Sequence, residues 1–327
     1  MTTSTAPGKI YLFGEHAVVY GEPAVPCAID LRARVHATQR DDDRVRLSAS
    51  DLSLDGFTIE YDGDQNARPD INVPENLVSA AVGYVNGAIH QARDLAGGSD
   101  TGLELTIESD IPLGAGLGSS AAVTVAAIDA VARELGATPD AETVAERAFQ
   151  VEAAVQDGEA SRADTFCSAM GGAVRVEGTD CRRLGEPDLP FVLGYDGGAG
   201  DTGQLVAGVR QLRETYDFAD TTIGVIGDLV ERGERALDDG DLDEIGRLMN
   251  FNHGLLVALG VSSRTLDDMV WAARDAGALG AKLTGAGGRG CIVALAEAAD
   301  VATALEHTPV CERAFEASLT PDGLQQE

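Results

Sequence analysis

Lysine is nearly absent from this sequence, and the two lysines that it keeps both stand inside glycine-containing motifs. Of the 24 basic residues only Lys9 and Lys282 are lysine, in the segments APGKIYLFGEH and KLTGAGGRGC. A lysine ammonium is a compact charge that suits phosphate and carboxylate binding. We therefore expect both lysines to serve chemistry; the alternative is that two surface lysines survived by chance.

The most informative segment is a glycine-rich loop that separates a predicted strand from a predicted helix. It reads IPLGAGLGSSAA from Ile111 to Ala122, with glycine at 114, 116 and 118. Glycines let the backbone approach a ligand and turn successive amides toward one anion, and the helix N-terminus adds positive potential. The pattern predicts a phosphate site, with a structural glycine turn as the alternative. Ser119 and Ser120 can cap the helix, and a hydroxyl there can reach a nucleotide-bound magnesium ion.

Other glycine-loop families fit this segment less well. No GK[ST] follows the glycines, as a Walker A loop requires, and the HRD and DFG segments of protein kinases are absent. Gly116, Gly118 and Ala121 do spell the GxGxxA of a dinucleotide-binding turn. The acidic residue wanted about 20 positions later, Glu134, falls inside a predicted helix rather than at a strand end, which counts against that alternative.

Three motifs together resemble the GHMP kinases, the superfamily of galactokinase, homoserine, mevalonate and phosphomevalonate kinases. The glycine loop, PxGxGLGSSA, is similar to the phosphate loop of that family. The segment APGKIYLFGEHAVVYG, from Ala6 to Gly21, resembles its N-terminal motif, with the ending found in mevalonate kinases. The segment KLTGAGGRGC, from Lys282 to Cys291, resembles the third motif, and MNFNHGLLVALGVS, from Met249, is similar to a mevalonate kinase segment. The likeness spans nearly the whole chain and is greatest to mevalonate kinases of an archaeal, halophilic type.

The resemblance implies an ATP-dependent enzyme that phosphorylates mevalonate to 5-phosphomevalonate for isoprenoid synthesis. Composition and spacing by themselves imply only a phosphoryl-transfer site. The alternatives are another GHMP kinase with phosphomevalonate or a different alcohol as acceptor, a mevalonate-pathway decarboxylase, and a non-catalytic nucleotide-binding relative. The GEHAVVYG ending and the presence of both Lys9 and Asp164 argue against the first two alternatives, and the presence of both residues argues against the third.

The resemblance also implies roles for single residues. Asp164, in GEASRAD, matches the catalytic base, and Lys9 matches the lysine that contacts this carboxylate and the reacting hydroxyl. The implied ATP-binding residues are Pro112, Gly114, Ala115, Gly116, Leu117, Gly118, Ser119 and Ser120. The implied substrate residues are Glu15, His16, Thr202, Gly285 and Ala286.

Magnesium is the second implied cofactor, with Ser120 and Glu152 as its ligands. Here the sequence departs from the family pattern. Glu152 stands six positions before Gly158, where mevalonate kinases usually have five, and Ala153 occupies the expected position. An extra residue in the turn from Gln156 to Gly158 would restore the match. Arg289 is a second departure, since many relatives have glycine there, and this position either tolerates a side chain or uses one.

The length of 327 residues predicts two packed domains with a cleft between them. The family fold is α+β, with an N-terminal domain like domain 2 of ribosomal protein S5 and a ferredoxin-like C-terminal domain; we expect them to span residues 1–185 and 186–327. Alternation predicts strands around 31–36 and 103–107, and fourfold spacing predicts a helix after Pro74. Helices are expected at about 119–135 and 141–156, then a polar loop to Asp164 and a strand at about 173–176. From about Leu189 the pattern predicts a strand, three or four helices, and then strand, helix and strand.

The charge balance is extreme, because 54 acidic residues against 24 basic ones give a formal net charge of −30. Molar salt shortens the Debye length to about 3 Å and suppresses the resulting self-repulsion. We therefore expect adaptation to high salt; the alternative is an acidic face for basic partners.

Nucleic acid binding is disfavoured, and no apolar run is long enough for a membrane span. Five scattered cysteines predict a reducing cytoplasm with neither disulfide nor zinc. The resemblance leaves a homodimer open.

Overall fold

The computed structural model describes residues 1–49, 57–62, 75–156, 158, 160–185, 187–296 and 298–327. Two features of the sequence prediction lie outside these ranges. They are Pro74, expected before the first helix, and residue 186, expected to open the second domain.

The described residues form two sheets with helices packed against them. In chain order the strands are β1 (Thr2–Phe13), β2 (Val25–Gln39), β3 (Arg44–Ala49), β4 (Phe57–Asp62), β5 (Leu103–Ser109), β6 (Ala173–Glu177), β7 (Asp180–Gly185), β8 (Phe191–Tyr195), β9 (Gly280–Leu283), β10 (Cys291–Leu295), β11 (Arg313–Ala317) and β12 (Gln325–Gln326). The helices are α1 (Glu75–Leu95), α2 (Ser119–Glu134), α3 (Ala141–Val155), α4 (Ala163–Met170), α5 (Thr202–Thr215), α6 (Asp217–Asp239), α7 (Leu242–Ala258), α8 (Arg264–Asp275) and α9 (Ala298–Glu306), with a 3₁₀ turn at Ala17–Tyr20.

The first sheet has the order β12-β1-β2-β5-β3-β4, and β6 pairs with both β2 and β7. Its pairs are antiparallel except β3 with β5, which run parallel. The alternation predicted from the sequence is present: Leu103, Leu105 and Ile107 of β5 are buried, while the residues between them are partly exposed. One face of this sheet therefore packs on a hydrophobic core.

Helix α2 fills the centre of that core. All but its last turn is buried apart from Ser120, and it contacts β1, β2, α1 and α3. A helix that is buried on nearly every side is stable only when other elements surround it. Because α2 begins directly after the glycine loop, the loop is held on a rigid central support.

The second sheet has the order β11-β8-β10-β9, with every pair antiparallel. Helices α5 to α8 connect β8 to β9, and α9 connects β10 to β11. This is the β-α-β-β-α-β arrangement of a ferredoxin-like domain. The two-domain α+β prediction is thereby confirmed, while the boundary at 185/186 stays a prediction.

Two local predictions are wrong. The polar loop was expected to reach Asp164, but helix α4 begins at Ala163 and was not predicted. Asp164 therefore lies in the first turn of a helix. The single strand expected after α8 is two strands, β9 and β10, and the third glycine motif is the turn that joins them. Both errors concern short elements in glycine-rich or polar surroundings. Such elements contain too few residues for a helical or strand periodicity to be recognised in the sequence. None of the described helices is long and apolar enough to span a membrane.

Candidate active site

The predicted site residues surround one cleft of about 840 Å³. One part of its wall is formed by β1, the 3₁₀ turn, the glycine loop and the start of α2. The rest is formed by the end of α3, the start of α4, the start of α5 and the third glycine motif. A volume of this size suits a small-molecule or cofactor site.

Lys9 and Asp164 form an ion pair in this cleft. Nζ of Lys9 lies 3.1 Å from Oδ2 of Asp164, and the Lys9 side chain is 2% exposed while that of Asp164 is 23% exposed. Lys9 also donates to the carbonyl of Gly116 at 3.1 Å. The lysine is therefore fixed between the carboxylate and the glycine loop, with the carboxylate on the open side.

The glycine loop packs tightly around Lys9. The amide of Lys9 donates to the carbonyl of Leu117 at 2.8 Å. Gly118 has a φ of +74°, and a Cβ atom at that position would lie 2.8 Å from Cγ of Lys9. Gly118 is the N-cap of α2, and no side chain hydrogen-bonds to the first turn. The expectation that Ser119 or Ser120 caps the helix is therefore wrong, and the Ser119 hydroxyl is buried without a partner.

The third glycine motif lies directly behind this loop. A Cβ atom on Gly116 would lie 2.5 Å from the carbonyl of Thr284, and one on Gly285 would lie 2.7 Å from Cα of Gly116. The amide of Cys291 donates to the carbonyl of Ala115 at 3.0 Å. Glycine is thus required on both sides of a backbone-to-backbone contact between the domains.

Glu152 lies near the end of α3 and is 6% exposed. Its Oε1 accepts a hydrogen bond from Gln156 at 3.1 Å, whereas its Oε2 is buried without a partner. Burial first, and then repulsion by Asp164, raise the pKa of Glu152 to about 8. A carboxylate oxygen that is orphaned in a cleft beside a second carboxylate fits the hard oxygen ligand set that Mg²⁺ prefers.

Ser120 belongs to the same part of the cleft, since its side chain and that of Glu152 both interact with Tyr84. The sequence-predicted magnesium pair therefore lines the same cleft, with Ser120 at the start of α2 and Glu152 near the end of α3. Among the described residues, no three His, Cys, Asp or Glu side chains cluster as a protein-only metal site. This pair fits a metal ion that shares its coordination with a nucleotide and water.

His16 is 5% exposed and has a φ of +61°. Its Nε2 lies 2.9 Å from the carbonyl of Ala286, and because a carbonyl only accepts, Nε2 carries a proton and donates. Its Nδ1 is buried without a partner, and burial lowers the pKa of the imidazole. Thr202, also on the cleft wall, is the first residue of α5, after its N-cap Asp201.

Glu15 lines the cleft, but its carboxylate is bound by Lys282. Both side chains are almost fully buried, at 1% and 0% exposure. Lys282 is absent from the cleft wall. Of the two lysines that stood out in the sequence, only Lys9 therefore faces the site.

Arg289 is held by an acidic residue that the sequence reasoning missed. Its Nε lies 2.5 Å from Oδ2 of Asp196, a fully buried carboxylate. Oδ1 of Asp196 accepts from the amides of Gly198 and Gly290, each at 2.9 Å. The arginine is therefore used: it links the third motif to the loop before α5. No pattern around Asp196 marked it in advance.

Tyr11 is a second residue that the sequence reasoning missed. It stands two positions after Lys9 on β1, and successive side chains of a strand alternate between its faces. Residues 9 and 11 of a strand therefore share a face, and this spacing is the signal that could have found it. Tyr11 lines the cleft with Lys9.

Family comparisons agree with this arrangement. A model described as the GHMP kinases N terminal domain matches residues 83–172, and one described as GHMP kinases C terminal matches residues 234–309. The mevalonate kinase of Thermococcus onnurineus is 43% identical over 313 residues, which cover 92% of this chain and 92% of that protein.

The chain belongs to the GHMP kinases. Membership of this kinase family makes ATP the co-substrate of the cleft. Solved GHMP kinase structures share the fold: the Methanococcus jannaschii mevalonate kinase aligns with a TM-score of 0.79 at 27% identity, covering 97% of this chain and 98% of that chain. The L. major mevalonate kinase, solved in complex with R-mevalonate, aligns with a TM-score of 0.77 at 25% identity, covering 99% of this chain and 97% of that chain.

Proposed function

We propose that this GHMP kinase is a mevalonate kinase, which transfers the γ-phosphoryl group of ATP to the 5-hydroxyl of mevalonate. The observation that carries the proposal is the Lys9–Asp164 pair, which faces the cleft beside the glycine loop. The choice of mevalonate rests on the curated relatives, which are 40–43% identical over most of their length and are named for that activity.

The pair supplies the acid–base part of the reaction. Asp164 accepts the proton of the attacking hydroxyl, and the Lys9 ammonium stabilises the oxygen as it becomes negative. Amides of the glycine loop and the N-terminus of α2 bind the phosphates. Phosphoryl transfer needs little covalent participation by the protein, so this placement and charge neutralisation are the main contributions.

Ser120 and Glu152 would hold Mg²⁺. When bound, the ion neutralises charge on the phosphates of ATP. Bound metal would favour the ionised form of the Glu152 carboxyl, and the buried Oε2 would gain the partner that it otherwise lacks.

The substrate side of the cleft is formed by the first and third motifs. His16 is held by the carbonyl of Ala286, and its Nδ1, buried without a partner, would bind the mevalonate carboxylate. Thr202 lines the same cleft. Gly285 allows the close approach of the two loops, and Glu15 fixes the backbone around His16 through its bond to Lys282.

A coupled ADP-release assay tests the proposal. Purified protein in about molar KCl with ATP and Mg²⁺ is offered mevalonate, phosphomevalonate, homoserine and galactose separately, with each product identified by mass. Turnover on mevalonate alone, giving 5-phosphomevalonate, supports the proposal. Turnover on another alcohol would contradict mevalonate as the substrate but remain consistent with the fold and the phosphoryl-transfer mechanism. Folded protein that phosphorylates none of the four compounds would contradict the proposed kinase activity.

We also propose that the net charge of −30 adapts the protein to concentrated salt. Screening of the acidic surface should make the folded state more stable as salt rises. The midpoint of thermal unfolding is expected to increase between about 0.1 and 3 M KCl. A midpoint that is constant or falls over this range contradicts the proposal.

A further inference from the structure

The hydroxyl of Tyr11 donates a hydrogen bond to Oδ1 of Asp164 at 2.7 Å. The other carboxylate oxygen, Oδ2, is the one that faces Nζ of Lys9 at 3.1 Å. The two oxygens of the proposed base therefore have different partners. A neutral donor occupies one, and the ammonium lies beside the other.

Tyr11 contacts Lys9 as well. The ammonium of Lys9 lies 4.3 Å from the centre of the Tyr11 ring, within the range of a cation–π contact. One side chain therefore touches both members of the ion pair, through its hydroxyl and through its ring.

Tyr11 is itself held rigidly. It is 6% exposed, and its amide donates to the hydroxyl of Thr284 in the third motif at 2.8 Å. Because its backbone and hydroxyl are both fixed, the phenol presents one donor in one direction.

We propose that Tyr11 is a positioning residue for phosphoryl transfer: it holds Oδ1 of Asp164, so that Oδ2 is the atom that takes the proton of the substrate hydroxyl. A hydrogen bond to the ionised carboxylate also favours that form, which is the form a general base needs. The inference rests on the proposed kinase function, and it adds a residue that acts through Asp164 rather than on the substrate.

Other charged and titratable groups also act on Asp164 and are unchanged by a substitution at Tyr11. They are Lys9 on β1, Glu152 on α3, Tyr84 on α1 and Cys167 on α4. Glu152 would be bound to the metal during turnover, so kinetic measurements are made at saturating Mg²⁺.

Two substitutions separate the two contacts. Tyr11→Phe removes only the hydroxyl and keeps the ring beneath Lys9, whereas Tyr11→Leu removes both. Tyr11→Phe is expected to lower kcat about tenfold with KM for both substrates within about twofold, since a hydrogen bond to a charged group is lost. The acid limb of its pH–kcat profile is expected to move to higher pH. Tyr11→Leu should lower kcat further. Tyr216→Phe, at an exposed position between α5 and α6, should match wild type.

A measurement without substrate keeps this inference separate from the proposed function. In protein with ¹³C-labelled aspartate carboxyls, the resonance that is missing in Asp164→Asn belongs to Asp164. It is expected to titrate at higher pH in Tyr11→Phe than in wild type. An unchanged titration, or wild-type kcat with an unchanged pH profile, overturns the role of Tyr11. Wild-type protein that fails to phosphorylate mevalonate overturns the substrate proposal, and the titration still decides the role of Tyr11.

Discussion

The ammonium of Lys282 and the carboxylate of Glu15 form a buried ion pair that joins the first motif to the third. Lys282 also donates to the carbonyls of Tyr11 at 3.1 Å and Leu283 at 2.8 Å, so its three protons all have acceptors. Burial raises the pKa of Glu15 and lowers that of Lys282, and the attraction between them opposes both shifts. The pair holds the walls of the cleft together from behind.

Lys282→Met should therefore destabilise the fold. It leaves Glu15 buried and unpaired, for which we expect a loss of about 3–5 kcal/mol in the free energy of unfolding. The double variant with Glu15→Gln should recover part of that loss, because the unpaired charge is gone. Denaturant unfolding in constant high salt measures both. A loss below about 1 kcal/mol in the single variant would show that the pair is not structural.

Gly118→Ala should impair turnover through Lys9. The left-handed conformation costs a non-glycine residue about 1–2 kcal/mol, and the new methyl group would also displace the lysine side chain. Gly136→Ala is the matched control, because Gly136 has a φ of +92° and open space around the added Cβ. Both variants should lose stability through the positive φ, Gly118→Ala more than Gly136→Ala because of its contact with Lys9, but only Gly118→Ala should lose more than about tenfold in kcat. Equal kcat values would contradict the contact.

Glu152→Gln should raise stability and abolish the effect of magnesium. The unfolded chain ionises this carboxyl near its ordinary pKa of 4.5, and the folded protein does so at about 8. Between these values the folded state holds the extra proton, so its metal-free stability falls as pH rises through this window. We expect Glu152→Gln to unfold at a higher temperature than wild type at pH 8 without metal, and at a similar temperature near pH 4.5.

Magnesium titrations complete that test. With nucleotide present, Mg²⁺ should stabilise wild type more strongly as pH rises to about 8, and should have little effect on Glu152→Gln. Its kcat should fall about 100-fold or more, because the metal supplies several kcal/mol of charge stabilisation. Glu142→Gln, exposed on the same helix, is the control. Wild-type magnesium dependence in Glu152→Gln would remove Glu152 from the metal site.

His16→Asn should weaken substrate binding more than turnover. Asparagine tolerates a positive φ better than most residues, so it is the replacement expected to disturb the backbone at φ +61° least. Nε2 already donates to Ala286, and a bond from Nδ1 to a carboxylate therefore needs a second proton on an imidazole whose pKa burial lowers. The KM for mevalonate should rise with pH in wild type and rise about tenfold or more in the variant. His307→Asn, on the exposed end of α9, should leave KM unchanged; an unchanged KM in His16→Asn contradicts the contact.

Much of the fold could be predicted from periodicity. Helices α2 and α3 lie within a few residues of their predicted bounds, and helices α5 to α8 fill the stretch in which three or four helices were expected. Strands β2 and β5 contain the alternating stretches around 31–36 and 103–107. Helix α4 was missed because eight residues carry little periodicity. Strands β9 and β10 were merged because the glycine turn between them gives no alternation.

The site was predictable where a motif fixes the backbone. The glycine loop, Lys9 and Asp164 meet as expected, although they are far apart in the chain. The ion-pair partners that only the packing of the chain brings together could not be predicted from the sequence. Asp196 beneath Arg289 and Lys282 beneath Glu15 depend on how the second sheet packs against the first motif. A lysine retained in a motif can therefore support the site without facing it.

The most direct test compares wild type with Asp164→Asn on mevalonate, with ATP and Mg²⁺ in about molar KCl and the product identified by ³¹P NMR. Wild type should form 5-phosphomevalonate. Asp164→Asn should bind ATP with nearly the same affinity and lose at least about 100-fold in kcat, because general base catalysis is worth roughly 10²–10⁴ in rate. Formation of 5-phosphomevalonate by Asp164→Asn at the wild-type rate would contradict the account.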